Sequence, residues 1–325
     1  CNWRGKTVLN DFEIKNGQLI YRNTGARIPL NNHFVKELAA TALFTLEISA
    51  ISAARAARAR IFVDQRQAVL KIGFSPEIPQ VWYAIWPVCQ LAGIDIVRDP
   101  AQADVLFYFD DREVAERLPE NLPGTYVINR QCLDIRKSRV AEVFAETFGY
   151  DLAIDPMTHS GLAVMKSERN GVHDGQIIPC PYMTPRPGSV YQRLVENTRD
   201  GRIYTDIRTP VVGGMLPVVY LKQRTSATRF SNDNVSVELT TAAEQFSGEE
   251  QDRIIAFANR IGLEFGGLDI LRDRKDGRIY IVDVNKTDMG PPTALPRPEK
   301  HIAIQKIADA FRSYVLLQVD QPHAA

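Results

Sequence analysis

The chain has 325 residues, above the size at which a single hydrophobic core tends to split, so two or three subdomains around a shared cleft are expected. Hydrophobic residues make up 45% of it, which excludes global disorder, and Lys+Arg and Asp+Glu both number 39, which argues against a dedicated nucleic-acid binder. Cys1, Cys89, Cys132 and Cys180 lie far apart and form no CxxC pair, so neither a zinc knuckle nor a disulfide framework is indicated and a reducing, cytoplasmic setting is the default.

Residues 1–31 read as short strands and turns, with DFEIKNGQLIYRNTG a hairpin turning at Asn16-Gly17. A long Ala-rich helix follows, Phe34 to Phe62. Glu37 and Glu47 interrupt its apolar residues and Arg55, Arg58 and Arg60 follow them, so no transmembrane segment is expected. The helix reads as packed on the core or on a second subunit in preference to a membrane surface, and it is the candidate homo-oligomer interface. From Ala68 the pattern changes to AVLKIGF (strand), PQVWYAIWPVCQLAG (helix ending at Gly93), IDIVRD and ADVLFYFDD (strands), then GTYVINR (strand). This spacing predicts a βαβ unit with a small parallel sheet, and it contains no GxGxxG fingerprint.

DIRKSRVAEVFAETFG predicts a helix with Asp134 as N-cap and Gly149 as its stop. GLAVMKS and QIIP predict a hairpin whose tip is the polar loop ERNGVHDG. SVYQRLVEN reads as a strand, and IYTDIRTPVVGGMLPVVYLKQRT as two strands about Gly213-Gly214. SGEEQDRIIAFANRIGLEFGG opens with a capping box, Ser247 to Glu250, and predicts a helix. GLDILRDRKDGRIYIVDVN predicts a hairpin turning at Asp276-Gly277, and KHIAIQKIADAFRSYVLL a closing helix. The expected division is therefore 1–67, unassigned; 68–130, the βαβ subdomain; and 131–325, the main α/β domain.

If Asp276-Gly277 is a hairpin turn, Asp269 starts one strand where Asp283 and Asn285 end the other. Residues two apart on a strand share a face. Two acids and an amide then converge, a donor set suited to Mg²⁺ held together with phosphate oxygens and water. Spacing alone equally allows solvent-facing strand ends. Lys166, ending its strand beside a Gly-containing loop, suits a phosphate, and His173 in that loop reads more readily as a surface residue. Asp206 and Arg208 share a strand face, where one suits a ribose hydroxyl and the other an anion, or the two form a surface ion pair. Arg229, Ser231 and Asn232 are polar loop candidates for the same cleft.

The order of these features is more informative than any one of them. Lys166 on its strand, YQRLV, TDIRTPVVGG, RFSN and AFANRIGLEFGGLDILRD…GRIYIVDVN succeed one another from about Gln131 to about Pro292. In this the sequence resembles the ATP-grasp superfamily, closest to the ribosomal-protein glutamate ligases and related peptide ligases. The resemblance implies an α/β, ATP-grasp fold with α+β subdomains behind the small parallel βαβ subdomain. It implies a cytoplasmic ATP-dependent ligase joining a carboxylate to an amine through an acyl phosphate, with ATP and Mg²⁺, or Mn²⁺, as cofactors. Lys137 and Lys166 would hold nucleotide phosphates, Arg193 and Leu194 the adenine through backbone atoms, and Asp206 the ribose. Ser231 and Asn232 would line the nucleotide, Asp269, Asp283 and Asn285 would ligate metal, and Lys166 and Arg208 would act in catalysis. The partners implied are small-molecule or peptide carboxylates and amines. A kinase of the same fold, phosphorylating a small molecule, is the alternative, and a non-catalytic nucleotide-binding module a third reading. The chain departs from the family in having Asp283 where Glu is usual, a glycine-poor SERNGVHDG loop, a longer segment from Gln192 to Asp206, and KTDMGPP after Asn285.

Overall fold

A computed structural model describes residues 12–15, 18–21, 27–29, 32–62, 69–118, 125–169, 171–172, 174–198, 200–230 and 234–320. It divides into two compact units, one of Cys1–Asp111, Glu116–Arg130 and Lys286–Ala325, the other of Arg112–Ala115 and Gln131–Asn285.

In the first unit β1 (Phe12–Lys15), β2 (Gln18–Tyr21) and β3 (Arg27–Pro29) form an antiparallel meander, in which Lys15 pairs with Gln18. The expected Asn16-Gly17 turn between them lies outside the described residues. Helix α1 (Asn32–Phe62) follows, then β4 (Lys71–Pro76), α2 (Ile85–Ala92), β5 (Asp95–Val97), β6 (Val105–Phe109) and β7 (Tyr126–Ile128). The sheet order is β5-β4-β6-β7, parallel throughout. Every residue of β6 is buried, as a parallel strand covered on both faces requires. Helix α2 starts later than its sequence pattern suggests. Tyr83 is drawn into a β-bridge with Met289, and the Ala84 N–H donates to the Asp288 carbonyl, so residues 81–84 form a turn and the helix begins only at Ile85. Gly93, left-handed at φ 65°, stops the helix as expected.

The C-terminal helix, Arg297–Asp320, packs along α2, and its Arg312 donates to the Ala92 carbonyl at 2.6 Å. Residues 286–325, grouped by sequence order with the domain that precedes them, thus fall in the first unit. Helix α1 is tied to the rest of the first unit through Arg55 and Glu47. Arg55 donates to the Leu91 carbonyl, and Glu47 accepts from Arg297 and His301. Its Leu38–Arg55 window has a mean hydropathy of 1.3, long and apolar enough to cross a membrane by composition, and Ile48 alone of these residues is fully buried. Glu47, at the middle of that window, is the residue that pairs with the C-terminal helix.

The second unit holds α3 (Lys137–Phe148), β8 (Gly161–Ser167), β9 (Gln176–Cys180), β10 (Ser189–Arg193), β11 (Ile203–Val212), β12 (Val219–Thr225), β13 (Ser236–Thr240), α4 (Ala242–Gln245), α5 (Gly248–Ile261), β14 (Phe265–Arg272) and β15 (Ile279–Asn285). Strands β10-β8-β9 make a small antiparallel sheet, and β13-β12-β11-β14-β15 a larger one. One face of the larger sheet carries Ile207, Val211, Val219, Leu268 and Ile270 into a core with Phe144 of α3 and Ile254, Phe257 and Ala258 of α5. The Ser247–Glu250 capping box forms at the start of α5, satisfying N–H groups that the first turn leaves orphaned. Asp134 does not cap α3. The N-cap is Arg136, and the Asp134 carboxylate instead accepts from the Arg136 backbone and guanidinium, which together outweigh burial and hold it below the usual carboxylate range.

Candidate active site

The opposite face of the larger sheet is polar because of strand periodicity and register. Asp206 pairs across the ladder with Lys222, Arg208 with both Tyr220 and Asp269, and Asp269 with Asp283. Gly267 pairs with Asn285, which lies two residues beyond Asp283 on the same face. A register irregularity after Asp269 pairs Ile270 with Ile281, returning that side chain to the core. The acids and the amide expected to converge therefore lie together at one end of the β14–β15 hairpin.

Their electrostatics differ. Burial alone would raise the pKa of Asp269, but Lys222 Nζ lies 2.9 Å from Oδ1 and an Arg208 guanidinium nitrogen 3.2 Å from Oδ2, and these cations hold the carboxyl far below the ordinary range. Asp283 Oδ1 is buried with no hydrogen-bond partner. A buried, unpartnered carboxylate oxygen is costly unless a cation arrives to meet it. Among the described residues no three His, Cys, Asp or Glu side chains gather, and the set that the hairpin brings together is two carboxylates and an amide. Its hard oxygen donors fit Mg²⁺.

Lys166 is on β8, paired with Val190, and its Nζ donates to the Val282 carbonyl at 3.1 Å. Burial lowers its pKa to about 8, against the upward pull of Asp283. The face of the small sheet that carries Lys166 also carries Leu162, Val164, Ile177, Val190 and Gln192, and the buried Gln192 Nε2 has no partner. A lysine whose folded pKa lies below its unfolded value carries a penalty that is complete below about pH 8 and is relieved as pH rises towards 10.5. Lys166→Met should therefore stabilise the ligand-free protein by roughly 1–3 kcal/mol at neutral pH. Thermal melts from pH 7 to 10 should show that gain shrinking.

The remaining candidates are held by protein groups. Lys137 Nζ donates to the Arg169 carbonyl at 2.7 Å, and Glu168 Oε1 accepts from the Ser138 N–H and hydroxyl, so the loop after Lys166 is pinned to the start of α3. Gly175, at the loop's far end, lies against Phe230, where an added Cβ would sit 2.6 Å from the ring. Arg193 already donates its N–H to the Leu152 carbonyl and its guanidinium to the Tyr280 hydroxyl. Its backbone N–H is thus engaged within the protein; Leu194, half-buried, follows it. Asp206 is ion-paired with Arg224 and accepts from Asn197 Nδ2 at 2.9 Å, while burial raises its pKa. Arg229 donates to the Val195 carbonyl and lies 4.2 Å over the Tyr204 ring. Ser231, Asn232 and His173 lie outside the described residues. Sequence reading missed Lys222, Arg224 and Gln192. The alternation Tyr220, Lys222, Arg224 in VYLKQRT, folded back over the Gly213-Gly214 turn, was the available signal for the first two.

The small antiparallel sheet, the larger antiparallel sheet and the helices that back it make an ATP-grasp fold, as the likeness to solved structures shows. The ATP-grasp ligase PsnB complexed with minimal precursor, Mg and ADP is similar to 78% of this chain and 99% of its own, with a TM-score of 0.51 at 13% identity. The same ligase complexed with precursor peptide PsnA2 and AMPPNP gives 0.50 at 12% identity, over 79% of this chain and 99% of that one. At these identities the likeness is one of fold. Neither a protein-family model nor a curated protein matches the chain.

Proposed function

We propose that the protein is an ATP-dependent ligase that joins a carboxylate to an amine through an acyl phosphate. The observation that carries this reading is the buried, unpartnered Asp283 Oδ1 on the same face as Asp269 and Asn285, in the unit that also holds the desolvated Lys166. Asp269, Asp283 and Asn285 would hold Mg²⁺, which when bound would offset the negative charge of the nucleotide phosphates. Leu162, Val164, Ile177 and Val190 offer an apolar surface to a planar base, and Gln192 Nε2 a hydrogen-bond donor. Lys166 would neutralise charge on the transferred phosphoryl group and Arg208 on the acyl phosphate.

In the first step a carboxylate oxygen of the substrate forms a bond to the γ-phosphorus and ADP leaves. In the second the amine nitrogen forms the C–N bond, phosphate leaves with the acyl oxygen, and the ammonium so formed gives its proton to solvent. Positioning and charge neutralisation suffice for both steps, so no side-chain nucleophile is needed. The loop 167–175, braced by Lys137 and Phe230, would shield the acyl phosphate from water. The precursor peptides bound by PsnB support a peptide as one substrate here.

Incubating the protein with ATP, Mg²⁺ and pooled peptides and amino acids, with mass spectrometry of the products, tests the reading. The expected outcome is ADP formation together with a product lighter than its two substrates by one water. A stable phosphorylated product without an amide would assign a kinase instead.

A further inference from the structure

Strand β12, VYLKQRT, turns Tyr220, Lys222 and Arg224 to one side, and its pairing with β11 sets Lys222 opposite Asp206. The Lys222 ammonium does not pair with that neighbour most closely. It reaches across β11 to Asp269 on β14, at 2.9 Å, with only 12% of its side chain exposed. Arg208 takes the other oxygen of the same carboxylate. The two acids of the hairpin are thus in opposite states. Asp269 is met by two protein cations, and Asp283 keeps a buried oxygen with no hydrogen-bond partner. A lysine suits a site it must later leave, because it is a compact point charge on a flexible stem, whereas an arginine fork is held by its planar geometry.

We propose that Lys222 is a positioning residue that stands in for a divalent cation at Asp269 while the site is empty, and that it yields Asp269 Oδ1 and turns to the nucleotide phosphates when metal and nucleotide arrive together. This rests on the ligase reading above and deepens it, by making occupancy by metal depend on occupancy by nucleotide. A lone divalent cation must displace Lys222 from Asp269 with no compensation. A nucleotide offers that ammonium a new anionic partner, so each ligand strengthens the other's binding by the same factor.

The test is Mn²⁺ binding, followed by the paramagnetic signal of the free ion, with and without ADP, in the wild-type protein, Lys222→Met and Lys222→Gln. In the wild type ADP should strengthen Mn²⁺ binding. In both variants the affinity for Mn²⁺ alone should rise roughly fivefold to tenfold, and the strengthening by ADP should shrink by a similar factor. Lys222→Gln keeps a polar side chain of similar reach, so it remains informative if the methionine variant folds poorly. Unchanged or weaker binding of Mn²⁺ alone in a folded variant overturns the proposal. The same holds for an undiminished effect of ADP. Asp283→Asn separates the two readings. Wild-type Mn²⁺ binding in the presence of ADP that this substitution leaves untouched overturns the metal site itself, whereas a loss there with no effect at Lys222 overturns only the role of the lysine.

Discussion

Asp283→Asn is expected to cut the proposed Mg²⁺-dependent ATP turnover by orders of magnitude while the protein stays folded. The native carboxylate has a buried oxygen with no hydrogen-bond partner, in the unit that also places Lys166 and Asp269. Substituting the amide removes the negative charge and replaces one acceptor with a donor, so a hard cation loses a ligand. The expected loss of turnover is roughly 10²–10³-fold, the scale on which a lost charge-stabilising contact acts. The fold should be kept or modestly stabilised, by up to about 1 kcal/mol, because the substitution removes a buried carboxylate oxygen that has no hydrogen-bond partner. Parallel measurement of ADP release, Mn²⁺ binding and the thermal midpoint checks this. Turnover at the wild-type level in the folded variant would remove Asp283 from the metal site.

The largest expected effect on stability lies away from the chemistry, at Gly262. This residue ends α5 at φ 79°, donating its N–H to the Ala258 and Asn259 carbonyls. An added Cβ would lie 2.5 Å from the Gln131 carbonyl carbon and 2.8 Å from the Cys132 nitrogen, both backbone atoms that cannot rotate aside. Gly262→Ala should therefore cost roughly 2–4 kcal/mol, combining the left-handed conformation with the clash. Gly277→Ala is the matched control. Its φ is 74°, but an added Cβ there meets nothing within 4 Å, so only the conformational cost of about 1 kcal/mol remains. Denaturant melts of the two variants give the comparison, and equal losses would show that the contact with Gln131 and Cys132 carries no weight.

Much of the second unit was legible in the sequence because its signals are local. Asp276-Gly277 and Gly213-Gly214 mark turns through the left-handed backbone they supply, and Ser247 with Glu250 marks a helix start through reciprocal capping. Once the Asp276-Gly277 hairpin is drawn, period-two alternation puts Asp283 and Asn285 on one face, but only the register irregularity after Asp269, which nothing in the sequence signals, brings Asp269 to that same face. The start of α2 was not legible, since its first turn is lost to a bridge with Met289, some 200 positions away in the chain. Nor was the place of residues 286–325, which is set by the packing of the C-terminal helix on α2 rather than by sequence order.

The sequence by itself determined which residues have oxygen and ammonium groups to offer, and which of them share a face within a single strand. Only the tertiary structure decided which of those groups are already engaged. Lys137 is held by the Arg169 carbonyl, Arg193 by Leu152 and Tyr280, Asp206 by Arg224, and Asp269 by Lys222 and Arg208, while Asp283 keeps an oxygen open. The physical reason is that side-chain chemistry and strand period belong to single residues and their near neighbours. Ion pairing and desolvation depend on strands and loops distant in the chain being brought within a few ångströms of one another.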